Sequence, residues 1–264
     1  MTNRIDEKLG DLKKAGATAL VPFVTVGFPD VATSEQLAKA VLEAGGDMLE
    51  LGVPFSDPVA DGPTVQMTSF RALEQGANLN TAISMVSSLR RDGVDSPLIF
   101  MGYLNPFLHH GFEQFAKDAS EAGLDGIIIP DLPPEEAELY IDILEKQGIY
   151  LIPLLAPTST AERIAQACKR AKGFIYCVSI TGVTGARQTI SGGVSELVSA
   201  IRMHTDLPIL VGFGVSTREH VEAIGQFADG AVVASAMLNA IDEAPLEQAV
   251  QVAKDFIKSL RGTD

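Results

Sequence analysis

Among 264 residues there are two cysteines, four histidines and no tryptophan, and basic side chains are outnumbered by acidic ones, 20 to 34. Cys168 and Cys177 are too few for a disulfide framework and lack the spacing of a metal site, so both are expected to be core thiols. His109 and His110 are adjacent, an arrangement unsuited to sharing one metal, and His204 and His220 fall in helix-like contexts; surface positions are expected for them. A formal net charge of −14 excludes nucleic acid and anionic membrane surfaces as natural partners, since either would be repelled over most of the protein. No apolar run approaches the roughly 18 residues of a membrane span. The opening "MTNRIDEKLGDLKK" has no apolar secretory core, and a cytoplasmic protein is expected. Linkers, low-complexity tracts and shifts in composition are also missing, so residues 1–264 are expected to form one domain.

What is present is apolar material, 46% of the chain, arranged with a beat. Short apolar runs recur, each preceded by a turn signal: "ALVPFVTV" from Ala19, "DMLELG" from Asp47, "PLIFMGY" from Pro97, "DGIIIP" from Asp125, "IYLIPLL" from Ile149, "FIYCVS" from Phe174, "LPILVGFG" from Leu207 and "DGAVVAS" from Asp229. Helical patterns lie between them. Thr33 with Gln36, Ser159 with Glu162, and Ser216 with Glu219 have capping-box spacing, and Gly45, Gly123, Gly148 and Gly173 stand where left-handed caps would end helices. Continuous apolar strands alternating with amphipathic helices imply a parallel sheet covered by helices. Eight such units in this length predict a (β/α)8 TIM barrel, with additional helices at the N-terminus and between the second and third strands. An open doubly wound sheet is the alternative.

In such a barrel the chemistry belongs to the loops after the strands' C-terminal ends. In "DMLELG" a period of two puts Met48 and Glu50 on one face and Leu49 and Leu51 on the other, and protein covers either face. Glu50 is therefore expected to be poorly solvated. An unpaired carboxyl there would have a raised pKa, suited to giving and taking protons near neutral pH; the competing reading is a Glu held by an Arg or Lys. The following loop, "VPFSDPVADGPTVQ", is stiffened by prolines, with Gly52 and Gly62 read as turn positions, and it presents Asp57 and Asp61. Asp61 is placed to reach back over the strand mouth, unless both aspartates merely make Asx turns. Without a Lys/Arg cluster, any phosphate ligand would be held by backbone N–H groups and helix N-termini.

The stretch "LELGVPFSDPVADGPTVQ" resembles the signature of the tryptophan synthase alpha chain family. "PFVTVGFPD", "MGYLNP", "PDLPPEE", "TGVTGA" and "VGFGVS" agree with that family in the same order, so the resemblance covers essentially the whole chain. It implies a barrel that cleaves indole-3-glycerol phosphate to indole and glyceraldehyde 3-phosphate. It also implies a beta-chain partner that joins indole to serine in an alpha2-beta2 heterotetramer, and no metal or organic cofactor.

Carried over by resemblance, Glu50 is the catalytic acid/base and Asp61 the second catalytic carboxylate, with Tyr176 on the sixth strand assisting. Gly185, Gly214 and Ser235 are expected to hold the phosphate. Ala234 stands where many relatives have glycine, and its methyl is harmless only if the backbone there has negative φ and the phosphate does not crowd it. Phe23, Met101, Ile128 and Phe213, with Tyr176, would enclose the indole. The loop "SITGVTGARQTISGG" reads as a lid, with Thr184 contacting Asp61 on closure; beyond Ala186 it departs from relatives, and Arg187 has no assigned role. Asp57, Asn105 and Asp131 are expected to meet the beta chain. Three other functions remain possible at this point: a stand-alone indole-3-glycerol phosphate lyase, a catalytically inert barrel that activates a beta partner, and another phosphosugar isomerase or aldolase. The last is disfavoured by the absence of an evident Schiff-base lysine at a strand end.

Overall fold

In the computed structural model, which describes residues 3–178, 193–212 and 214–263, each of the eight apolar runs contributes to one parallel sheet. The first four give β1 (Ala19–Thr25), β2 (Leu49–Gly52), β3 (Leu98–Met101) and β4 (Gly126–Ile128). The fifth is split into β5 (Tyr150–Leu151) and β6 (Leu154–Leu155); Pro153, between the two pieces, has no N–H to give a ladder. Then come β7 (Ile175–Val178), β8 (Ile209–Gly212) and β9 (Gly230–Val233).

Neighbours run β5-β4-β3-β2-β1-β9-β8-β7-β6. Both ends of that order lie within one stretch of six residues, which closes the ring. On one side the Ile152 N–H donates to the Ile127 carbonyl at 2.9 Å; on the other the Tyr176 N–H donates to the Pro153 carbonyl at 3.0 Å. The open sheet is thereby excluded, and the fold is a (β/α)8 barrel.

The helices are α1 (Arg4–Ala15) before the first strand, α2 (Val31–Glu43) after β1, and α3 (Pro63–Glu74) with α4 (Leu79–Arg91) between β2 and β3. Next are α5 (Leu104–His110) and α6 (Phe112–Ala122) after β3, α7 (Glu138–Lys146) after β4 and α8 (Ala161–Arg170) after β6. The last are α9 (Val194–Arg202), α10 (Arg218–Ile224), α11 (Ser235–Glu243) and α12 (Ala249–Arg261). The extra helices α1 and α4 stand where the sequence predicts them, whereas the doubled helices after β3 (α5 with α6) and after β9 (α11 with α12) were not anticipated.

All three predicted N-caps are displaced. Asp30, not Thr33, caps α2, its carboxylate accepting from both the N–H and the hydroxyl of Thr33. Thr160 and Thr217, each one residue after the predicted serine, cap α8 and α10. Ser159 is occupied in a turn instead, its N–H donating to the Ala156 carbonyl and its Oγ accepting from the Ala156 N–H. Gly45, Gly123 and Gly148 stop their helices with positive φ as expected, whereas α8 ends earlier, at Arg170 with extended Ala171 as its cap, so Gly173, though also at positive φ, lies beyond the helix end.

Strand alternation sorts the core into two shells. Ala19, Val21, Met48, Ile99, Ile128, Ile152, Phe174, Tyr176, Leu210 and Val232 form one buried cluster together with Ile5 and Leu9, so α1 fills the N-terminal end of the cylinder. The alternate residues, among them Leu20, Leu49, Leu51, Phe100, Ile127, Cys177 and Val211, pack outward beneath the helices. Both cysteines are buried free thiols, as expected, and burial pushes Cys177 up to about 12.

A repeated aspartate device ties the lower end together. Asp47, Asp125 and Asp229 each stand just ahead of a strand and accept an N–H from the preceding one, from Leu20, Leu98 and Ile209 at 2.8, 2.8 and 2.7 Å. Each is held by an arginine: Arg261, Arg90 and Arg202 respectively.

Candidate active site

The inward parity of β2 carries Glu50 into the cylinder, opposite Phe23 on β1 and Ile99 on β3. Glu50 is 1% exposed, and among the described residues its Oε1 has no hydrogen-bond partner. No lysine or arginine pairs with it among those residues, so the reading of a cation-held Glu finds no support. Burial, then the neighbouring charge of Asp61, pushes the carboxyl up to about 8, and Glu50 holds its proton at neutral pH.

Asp61 arrives on the loop that leaves β2 and turns into α3, where Pro63 occupies the first helical position with its φ already suited to a helix. Hydrogen bonds pin this loop along its length. The Ser69 hydroxyl accepts from the Phe55 N–H at 2.9 Å and donates to the Phe55 carbonyl at 3.1 Å. The Gln66 amide donates to the Asp61 carbonyl at 2.8 Å. The helix is tied to β1 in turn: Thr68 gives its proton to the Val65 carbonyl, so its oxygen accepts from Thr25 Oγ1 at 2.8 Å in a buried contact. Burial raises Asp61 to about 6, against the lowering effect of a hydrogen bond from Tyr103, and Asp61 is mostly ionised at pH 7. Full burial of Glu50 and partial burial of Asp61 thus leave two carboxyls in opposite protonation states.

Glycines make the room. Gly52 was read as a turn residue; it is a strand residue, and a Cβ there would run into the Phe23 ring. Gly212 stands in the same relation to Tyr176 across β8, its missing side chain leaving space for the ring and hydroxyl. Tyr176 is 6% exposed, and burial with the charges of Glu50 and Asp61 holds its hydroxyl well above its ordinary range. It keeps its proton and can donate a hydrogen bond, so it is not a base.

Phe23, Met101 and Asp61 line one cleft together with Thr25, Gly52 and Tyr103. Ile128 lies inward beside Met101, with which it is in register. Gly214, at φ 40, follows β8, and Ser235 opens α11 immediately after the adjacent β9, so both stand at one rim. Ala234 has φ −128, the negative value its methyl requires. Thr184, Gly185 and Phe213 lie outside the described residues, as do Gly182, Arg187 and Gly192.

Asp57, Asn105 and Asp131 are exposed on the loops or helix that follow β2, β3 and β4. The Asp131 carboxylate accepts from the Leu104 N–H at 2.9 Å, joining the loop after β4 to the start of α5. Near them Val59 is 83% exposed and Leu108 49%. One residue of the site went unassigned in the sequence. Tyr103 is the tyrosine of "MGYLNP", two positions beyond the end of β3, and that place at a strand's C-terminal end is the signal that could have found it. A larger cavity of about 450 Å³ lies away from the two carboxyls, between α7, α8 and the 150–155 strand.

The geometry is that of a (β/α)8 barrel with two carboxyls at the C-terminal mouth of its strands, Glu50 inside the cylinder and Asp61 on the loop above it. Residues 9–262 match the tryptophan synthase alpha chain family. The tryptophan synthase alpha chain of Roseiflexus sp. (strain RS-1) is 48% identical over 260 residues, 98% of this chain and 100% of that one. Tryptophan synthase subunit alpha from Legionella pneumophila str. Paris superposes with a TM-score of 0.90 at 36% identity, covering 100% of this chain and 98% of that one. A chain in a structure of Mycobacterium tuberculosis tryptophan synthase gives a TM-score of 0.91 at 34% identity, covering 100% and 98%. The chain belongs to the tryptophan synthase alpha chain family. It is a carbon–carbon lyase of tryptophan biosynthesis, acting on indole-3-glycerol phosphate, and the partner implied by an alpha chain is a beta chain.

Proposed function

We propose that Glu50 and Asp61 divide the retro-aldol cleavage of indole-3-glycerol phosphate between them. Glu50, neutral at pH 7, gives its proton to indole C3, and the ring becomes an indolenine cation with positive charge on nitrogen. Asp61, ionised, accepts the hydrogen bond of the ring N–H and stabilises that charge as it develops. Glu50, now a carboxylate in a site that disfavours its charge, takes the proton of the adjacent glycerol hydroxyl. The carbon–carbon bond opens, its electrons restore the indole, and the glycerol carbon leaves as an aldehyde. Tyr176 donates a hydrogen bond to that hydroxyl oxygen and steadies it during the transfer. The protonated ring is the electron sink, so the proposed cycle needs neither metal nor organic cofactor.

Phe23, Met101, Ile128 and Phe213 form the apolar enclosure of the indole in this reading. The phosphate sits on the N–H groups of Gly185, Gly214 and Ser235 beside Ala234, at the rim of β8 and β9 where a helix begins. Thr184 on the lid orients Asp61 on closure. Asp57, Asn105 and Asp131, with the exposed Val59 and Leu108 nearby, form the face toward the beta chain in a cytoplasmic alpha2-beta2 heterotetramer, and the alpha chain acts as one domain. The observation that carries the reading is the buried carboxyl of Glu50, whose Oε1 has no hydrogen-bond partner among the described residues, held protonated beside a second carboxylate.

The test is indole release by Glu50→Gln, assayed with and without added beta chain. A loss of about 10² to 10⁴ in turnover is expected, the usual range for removing a general acid/base. Undiminished release would remove Glu50 from the mechanism, and strong turnover of the unmodified chain that beta chain leaves unchanged would favour the stand-alone lyase.

A further inference from the structure

We propose that Tyr103 is a positioning residue for the cleavage step, its hydroxyl bridging the loop backbone at Ala60 and the carboxylate of Asp61 so that Asp61 is held as the acceptor for the ring N–H. The inference rests on the role of Asp61 proposed above. The bridge follows from counting protons. The Ala60 N–H can only donate, and it donates to Tyr103 Oη at 2.9 Å. The single hydroxyl proton is left over, and the structure assigns it to the Asp61 carboxylate, which belongs to the next residue of the loop and lines the same cleft as Tyr103.

The tyrosine is itself fixed. It is 3% exposed, and its ring stacks on Phe55 with centroids 5.3 Å apart and planes at 30°. Phe55 is in turn clamped by Ser69 at both its N–H and its carbonyl. The hydroxyl therefore reaches the loop from a rigid base outside it, namely the C-terminal end of β3. Gln66 holds the Asp61 carbonyl from α3, so the loop backbone on both sides of the carboxylate is fixed. A donor to the ionised form favours ionisation, and the lost donor should be visible as a titration.

The variant is Tyr103→Phe, which keeps the ring against Phe55 and removes one oxygen. In the full chain saturated with beta chain, the acid limb of the kcat/KM profile is expected to move up by about one unit, the size of one hydrogen bond to a charged group. Turnover at pH 7 falls about twofold, as the ionised share of Asp61 drops from about nine-tenths to about half, while KM changes little. The Asp61 carboxylate, followed by carbon-13 NMR in the chain without substrate, moves by the same amount, whereas thermal stability measures the structural effect separately. In an Asp61→Asn background the same substitution lowers kcat no further. An unmoved Asp61 titration and acid limb overturn the proposal, as does a kcat loss from Tyr103→Phe that persists in full with Asn at 61. If Asp61→Asn alone keeps full turnover, the catalytic reading of Asp61 fails and this one with it; an unshifted Asp61 titration in Tyr103→Phe condemns only Tyr103.

Discussion

Glu50 and Asp61 have ordinary pKa values within a unit of each other, and the barrel separates them to about 8 and about 6. Activity should therefore be bell-shaped in pH, rising as Asp61 loses its proton and falling as Glu50 loses its own, with a plateau between the two values. Asp61→Asn should abolish the rising limb and draw the falling limb to lower pH, because the charge that helps keep Glu50 protonated has gone; a kcat/KM profile shows both. Stability follows the same groups. Folded Glu50 keeps its proton up to about 8, whereas the ordinary value is 4.5, so between these pH values the unfolded chain releases a proton that the folded one retains. Stability must then fall as pH rises through this window. Glu50→Gln removes the penalty and should be more stable than the parent above pH 8, by roughly a few kcal/mol. Calorimetric melting at pH 6 and pH 9 checks this, a Tm gain no larger at pH 9 than at pH 6 being the contrary result.

At the level of elements, strands set direction and glycines set clearance. Inward parity of β2 puts Glu50 inside, and the same parity puts Gly52 and Gly212 beneath aromatic rings. Gly52→Ala should displace Phe23 and cost about 1–3 kcal/mol as overpacking, together with weaker substrate binding, readable as a rise in KM beside a lower urea midpoint. Helix starts offer a sharper comparison. Thr160→Ala removes the cap that accepts from the Arg163 N–H and should cost about 1 kcal/mol, while Ser159→Ala, which loses only a turn contact, should cost less. Equal losses would restore the capping frame predicted from sequence. The frame slipped because Ser159 and Thr160 are both good caps, and composition alone does not say which hydroxyl the local turn will take.

On the scale of the whole molecule, the two ends of the barrel have separate duties. The lower end carries α1 and the aspartate–arginine ties; the upper rim carries the two carboxyls and the turns after β8 and β9 proposed to hold the phosphate. Asp125 is the most enclosed tie, 3% exposed, and it holds the Leu98 N–H and the guanidinium groups of Arg90 and Arg4. Asp125→Ala should destabilise by about 3–5 kcal/mol, the range for breaking a buried ion pair, yet leave kcat of the folded fraction unchanged. A kcat loss in protein shown to be fully folded would contradict that division.

Much of this design is written locally. Eight apolar runs with glycine-closed helices specify a parallel barrel, since each run can be buried only between a helix layer and a filled interior. Alternation in "DMLELG" is enough to put Glu50 on the face of Met48, away from Leu49 and Leu51, and on either face under protein. The run of prolines and aspartates after it marks the loop that carries Asp61. Tertiary structure alone decided the rest, because it depends on residues far apart in the chain. Tyr103 reaches Ala60 across 43 positions. Ring closure falls at a broken strand whose two pieces pair with different neighbours. The protonation states of two carboxyls were settled by what surrounds them, since a pKa is a property of the environment and no side chain carries it alone.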